Sequence, residues 1–173
     1  MILIGISGKK GSGKDTVALF IRELYPAHIP VHIVGFADEL KKEMAQSLGV
    51  TTSFIETNKQ FFRPLLQWWG DYRKKFASDQ YWIIQLSKHV MMLPNSIDTL
   101  CVIKDVRFKN EYDFIRETGG IMIRVVRDDV MKDAHASEND LDSTPFKYVL
   151  SNNGTLPELK REVSKLLKEI EII

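Results

Sequence analysis

The sequence predicts a three-layer α/β/α fold, in which a central parallel sheet of about five strands carries helices on both faces. Three observations predict it. Short apolar segments rich in β-branched residues recur along the chain, segments with apolar residues at helical spacing separate them, and the first such pair is joined by a glycine-rich turn. Strands that are apolar throughout belong to a sheet covered on both sides, which is the parallel kind.

Ile2 to Ile6 is an unbroken apolar run that enters the glycine-rich turn and reads as a buried strand. Thr16 to Tyr25 follows as a helix, with Val17, Phe20, Ile21 and Leu24 on one face and Pro26 as its stop. Val31 to Phe36 reads as the second strand, and the amphipathic Asp38 to Leu48 as a helix that Gly49 ends. Thr51 to Phe62 gives no firm period. Leu65 to Tyr72 and Gln80 to Met92 read as helices, with Pro64 in the first turn of one and Pro94 beyond the end of the other. Thr99 to Lys104 is a third strand, Asn110 to Glu117 a helix closed by Gly119 and Gly120, and Ile121 to Val126 a fourth strand. Arg127 to Phe146 is polar and aperiodic, the composition of a flap. Tyr148 to Ser151 makes the last strand and Thr155 to Ile170 the last helix, with Pro157 near its start.

The 173 residues form one domain by length, and 44% hydrophobic with 27% charged residues exclude the disordered and fibrous classes. A net charge of +1 argues against binding polymeric nucleic acid. The single cysteine, Cys101, lies in an apolar run and reads as packing, so neither a disulfide framework nor a cysteine-rich metal site is expected. No run is long enough to span a membrane and the first apolar run lacks a signal peptide's basic flank, so the expected location is the cytoplasm, without a membrane partner.

Ligands of parallel sheets gather at the carboxyl ends of the strands. That rule selects Gly8 to Thr16, Ala37 and Asp38, Asp105 and Arg107, Arg127, and Asn152 to Thr155. Gly8, Lys9, Lys10, Gly11, Ser12, Gly13 and Lys14 satisfy the GxxxxGK core of a Walker A loop, in the required place between strand and helix. Glycines let successive N–H groups turn toward a β-phosphate, the helix start offers its positive dipole end, and Lys14 can bridge the β- and γ-phosphates. The next residue is Asp15 rather than Ser or Thr, and the hydroxyl comes only at Thr16. Asp15 can approach magnesium, act on the acceptor side, or simply favour the first turn of the helix. Asp105 follows Leu100 to Lys104 in a Walker B manner, although Lys104 interrupts the apolar run; a carboxylate there can hold magnesium or orient an acceptor oxygen.

Ser7 to Thr16, with Lys14-Asp15 at its centre, resembles the loop of the phage-type deoxynucleoside monophosphate kinases and, less closely, that of animal-type phosphomevalonate kinases. Further stretches resemble the first family in the same order: Leu65 to Gly70 with Tyr81-Trp82, Asp105-Val106-Arg107 with Glu111, Val125 to Arg127 with His135 to Glu138, and Ser151 to Leu156. They cover most of the chain, which is shorter than the longest members around Thr51 to Phe62. The resemblance implies a single P-loop kinase domain over residues 1–173, with an acceptor-binding helical region near 37–95 and a flap near 127–146. It implies transfer of the γ-phosphate of ATP to a nucleoside monophosphate, with Mg²⁺ required. A phage origin would place it in the host cytoplasm, and a homodimer is compatible.

On that reading Lys14, Arg107 and Arg127 clamp phosphates, and Asp15, Thr16 and Asp105 are the metal candidates. Arg63 is the candidate for the acceptor's phosphate, with Arg73 or Lys74 as substitutes, and Asp38 and Arg107 also face the acceptor. Gln67 and Trp68 are candidates for the base, whereas Trp69 reads as core. Asn152, Asn153 and Gly154 are placed for the donor's adenine, or for an ordinary turn before a helix. His135, Ser137 and Glu138 suggest flap geometry or acceptor contact. A kinase of phosphomevalonate or dephospho-coenzyme A, and a nucleotide-dependent switch, are the competing readings.

Overall fold

The computed structural model describes residues 1–94, 98–128 and 139–173. Ile2 to Ser7 forms strand β1, and its alternation divides the fold into layers: Ile4 and Ile6 point to one face of the sheet and Gly5 to the other. Four more strands join it, β2 (Val31–Val34), β3 (Leu100–Val106), β4 (Ile121–Val126) and β5 (Tyr148–Ser151). All pair in parallel in the order β2-β3-β1-β4-β5. The expected five-stranded parallel sheet is the one observed.

On the Ile4 face lie α1 (Lys14–Leu24) and α7 (Leu156–Glu169), which bring Val17, Ala18 and Ile21 against Leu159, Val163 and Leu167. Most of these side chains are fully buried, each contributing about 1.5–3 kcal/mol by its removal from water. The opposite face carries α6 (Lys109–Glu117). There a Cβ on Gly5 would stand 2.4 Å from Met122 Sδ of the neighbouring strand and 2.7 Å from Ile115 Cδ1 of α6, so any side chain at Gly5 would displace the ends of both. Met1–Val34 and Leu93–Ile173 make up this unit, and Gly35–Met92 makes a second.

The second unit is helical: α2 (Phe36–Leu48), α3 (Thr52–Thr57), α4 (Lys59–Phe76) and α5 (Tyr81–Met92). Met44, Ala45, Ile55 and Leu66 form its centre, with Leu40, Val50, Phe62 and Trp69 partly buried around them. Gly49 ends α2 in the left-handed conformation, φ 66°, as its position predicts. No described helix is long and apolar enough to cross a membrane.

Several boundaries differ from expectation. Phe36 does not end β2 but opens α2, because Gly35 is extended and turns Phe36 into a buried position. Thr51 to Phe62 is helical throughout except around Asn58: the Thr51 hydroxyl caps α3 by accepting from Phe54 N–H at 3.1 Å, and Asn58 closes it. Pro64 lies inside α4 rather than in its first turn. Strand β3 runs on to Val106, so Asp105 sits within it rather than after it. Its register against β1 slips there, Gly5 pairing with Ile103 but Ser7 with Val106. The extra residue of this bulge re-aims the side chains of Lys104 and Asp105 and explains why a lysine can interrupt the apolar run.

Candidate functional site

The phosphate loop is shaped by three glycines of positive φ, Gly8 (151°), Gly11 (81°) and Gly13 (97°). Sterics alone reserve two of them. A Cβ on Gly8 would meet the Val125 carbonyl oxygen at 2.4 Å, and one on Gly13 would meet Asn152 Nδ2 at 2.3 Å. The turn is closed by Ser12 N–H donating to the Lys9 carbonyl at 3.1 Å, and α1 begins as Val17 N–H donates to Gly13 at 3.0 Å. Lys14 is buried and its ammonium donates to the loop's own carbonyls, Gly8 and, at 2.7 Å, Lys9. The Ser12 hydroxyl is buried with no hydrogen-bond partner among the described residues. A cradle of glycines, a buried ammonium and an orphaned hydroxyl fit an anion with several oxygens.

Asn152 crosses to this loop from the end of β5. Its backbone N–H donates to Val126 at 2.8 Å and its side-chain amide to the Ser12 carbonyl at 2.9 Å, both away from solvent. The result is a cavity of about 420 Å³ lined by Gly11, Gly13, Lys14, Asp15, Thr16, Arg127, Asn152, Gly154 and Leu156. Eight of these nine residues were singled out by the sequence. Leu156, 61% exposed at the start of α7, stood in the resembling stretch Ser151 to Leu156 but was not named as a site residue. Its signal was the capping box around it: Thr155 accepts from Glu158 N–H at 3.4 Å, while Thr155 N–H donates back to Glu158 at 2.7 Å.

Lys10 lies on the exposed outer side of the loop. Asp105 and Arg107 flank the end of β3, both half-buried. Arg107 N–H donates to Glu111 Oε2 at 2.8 Å, as does Phe108 N–H at 3.1 Å, so a buried glutamate fixes the turn from which Arg107 projects. Among the described residues no group of three His, Cys, Asp or Glu side chains converges on one point. Asp15, Thr16 and Asp105 therefore do not build an all-protein cage, and a metal held by them would share its coordination with phosphate oxygens, as Mg²⁺ does with nucleotides.

The segment after residue 138 is fastened. Asp142 takes Lys9 of the phosphate loop at 2.9 Å and Arg124 of β4 at 2.8 Å, and these cations hold its carboxyl below the usual range, the Lys9 bond first, against the opposing effect of burial. Leu141 is buried, and Tyr112 of α6 donates to the Pro145 carbonyl at 3.0 Å while its ring meets Phe146 edge-on. Composition gave no sign of this, since the contacts are made one residue at a time. His135, Ser137 and Glu138 lie outside the described residues.

In the helical unit Asp38 stands in the first turn of α2, paired with Lys41 at 3.4 Å. Arg63 and Gln67 are one turn apart on α4, both half-buried, so they share a face. Trp68 is 56% exposed and stacks on Tyr72 with centroids 5.3 Å apart. Trp69 is the more buried, as its core reading required, and its indole N–H donates to Glu43 at 2.8 Å.

A family profile of deoxynucleotide monophosphate kinases matches residues 38–163. A protein of Acanthamoeba polyphaga mimivirus that carries the provisional name deoxynucleotide monophosphate kinase is 30% identical over 188 residues, covering 94% of each chain. Among solved structures, a gluconokinase from Sinorhizobium meliloti superposes with a TM-score of 0.54 at 14% identity, covering 98% of this chain and 93% of its own. A shikimate kinase from Bacteroides thetaiotaomicron does so with a TM-score of 0.50 at 14% identity, covering 98% of each. At that identity the two structures establish the fold, which is that of P-loop kinases.

Proposed function

Because the chain belongs to the deoxynucleotide monophosphate kinase family, we propose that it transfers the γ-phosphate of ATP to a (deoxy)nucleoside 5′-monophosphate, releasing the diphosphate and ADP. The observation that carries the donor half is the single cavity in which the Lys14 loop, Arg127, Asn152 and Gly154 meet. The triphosphate lies along Gly8 to Thr16, where the loop N–H groups and the Ser12 hydroxyl donate to its oxygens, and Lys14 leaves the carbonyls of Gly8 and Lys9 for the β- and γ-phosphates. The donor's base extends toward Asn152, Gly154 and Leu156.

Phosphoryl transfer is driven by positioning and by cations around the transferring group. Lys14, Arg107 and Arg127 supply that charge, and Asp105 or Asp15 orients the attacking acceptor oxygen. Asp15, Thr16 and Asp105 would hold Mg²⁺, which would supply further neutralisation of the developing charge. In the helical unit Gln67 and Trp68 address the acceptor's base and Asp38 a hydroxyl of its sugar, with Arg63, or in its place Arg73 or Lys74, as the cation for its phosphate.

The test is release of ADP, followed by a coupled assay, over a panel of ribo- and deoxynucleoside monophosphates extended to phosphomevalonate and dephospho-coenzyme A. Turnover dependent on one or more nucleoside monophosphates is expected. Turnover with only a non-nucleotide acceptor, or hydrolysis at full rate without any acceptor, refutes the reading.

A further inference from the structure

Glu43 of α2 gathers side chains from two other helices of its unit. Its Oε1 accepts from Trp69 Nε1 at 2.8 Å and from Arg73 Nε at 2.5 Å, both on α4, and its Oε2 accepts from the Tyr81 hydroxyl at 2.5 Å on α5. Burial alone would push the Glu43 carboxyl up, but these bonds from Tyr81, Trp69 and Arg73 outweigh it and keep the group ionised. The Arg73 guanidinium carbon stands 5.7 Å from the Trp69 ring centroid and 5.2 Å from that of Tyr81. One carboxylate and two rings thus fix a single cation.

What that fixation is for follows from how it is made. Arg73 bonds Glu43 through Nε, which leaves outside that bond the planar fork of the two terminal nitrogens, the part that matches two phosphate oxygens. The side chain is still 34% exposed. A pair this exposed adds little to stability, whereas an arginine immobilised before its ligand arrives loses little entropy when it binds. On the adjacent face of the same helix Trp68 and Tyr72 stack on one another, 56% and 42% exposed. A locked cation beside exposed stacked rings matches a ligand with one phosphate and one aromatic base.

We infer that Arg73 is an anchor of the acceptor's phosphomonoester, set in place by Glu43, Trp69 and Tyr81. The inference rests on the acceptor being a nucleoside monophosphate, as proposed above. Arg63 lies about 15 Å earlier along the helix axis.

Calorimetric titrations of the full chain with nucleoside monophosphates, the matching nucleosides and inorganic phosphate, alongside steady-state assays, decide it. Arg73→Met is expected to weaken monophosphate binding by about 10- to 100-fold, with nucleoside binding and the KM for ATP unchanged. Arg73→Lys should recover part of the loss, and Glu43→Gln should show a smaller loss of the same selectivity. Equal weakening of nucleoside and monophosphate would mean a merely structural role and overturn the inference, as would a well-folded Arg73→Met that binds monophosphate normally or an Arg63→Met that alone shows the loss. Should Arg73→Met not fold, the Lys and Gln variants carry the same comparison. If the wild type phosphorylates no nucleoside monophosphate, the proposed function fails, yet Arg73-dependent binding of inorganic phosphate would still uphold the anchor and its absence would refute that too.

Discussion

Gly13→Ala isolates the contact that joins the two ends of the donor site. At φ 97° the new residue occupies left-handed backbone, and its Cβ begins 2.3 Å from Asn152 Nδ2, where real Cβ contacts stay beyond 3.0 Å. The Asn152 amide must retreat, and its 2.9 Å bond to the Ser12 carbonyl cannot survive the move. Left-handed strain costs about 1–2 kcal/mol, and loss of a buried hydrogen bond about 1–3 kcal/mol. Together about 2–5 kcal/mol of stability should disappear, a fall in Tm of about 4–20 °C for a chain of this size. Thermal melts of the single variants and of Gly13→Ala/Asn152→Ala close a double-mutant cycle. Shortening Asn152 removes the obstacle, so the double variant should be more stable than additivity allows by about 0.5–3 kcal/mol. Strict additivity would show that the two residues do not collide and that the cavity is not closed as described.

Three further outcomes follow from the same geometry. Lys14→Ala should lower kcat by about a hundredfold or more, since the cation acts on charge that develops in transfer; single-turnover assays below the variant's melting temperature, on protein shown to be folded, test this. Glu56, held down to about 2 by its bonds to Lys41 and Lys59, contributes stability that is fully present above about pH 4.5 and fades as pH falls toward 2. Because the side chain is half exposed, the contribution is at most about 1 kcal/mol, and acid titration of Glu56→Gln by circular dichroism should show a shallower loss over that window. Cys101 is buried and its thiol is pushed up to about 11 by burial, so a thiol reagent at pH 8 should modify it only at the rate of unfolding; prompt modification of the native protein would contradict its placement in β3.

The legible parts of the fold were those in which local chemistry and tertiary position agree. Strands β1, β4 and β5 are short, mostly apolar segments bounded by glycine, polar residues or both, and Gly49 both ends α2 locally and adopts the left-handed conformation there. The illegible stretch was Thr51 to Phe62, where α3 is fixed by the complete burial of one residue, Ile55, and by a side-chain cap at each end, which leave no period to read. Pro64 misled because a proline usually marks the start of a helix, and α4 already had Lys59 to Arg63 ahead of it. At the site, the loop was legible from spacing alone because it is contiguous. The Asp142 clasp and the Glu43 cluster were not, because each depends on residues far apart in sequence whose types are ordinary by themselves.

The bond from Asn152 to Ser12 spans 140 positions of the chain. During synthesis the phosphate loop is made long before the residue that braces it. A nascent chain released before β5 therefore carries the full Walker sequence without its support, and nucleotide can favour folding only after β5 and Asn152 have emerged. Fragments ending ahead of Tyr148 should accordingly fail to retain ATP, although every residue of the loop is present in them.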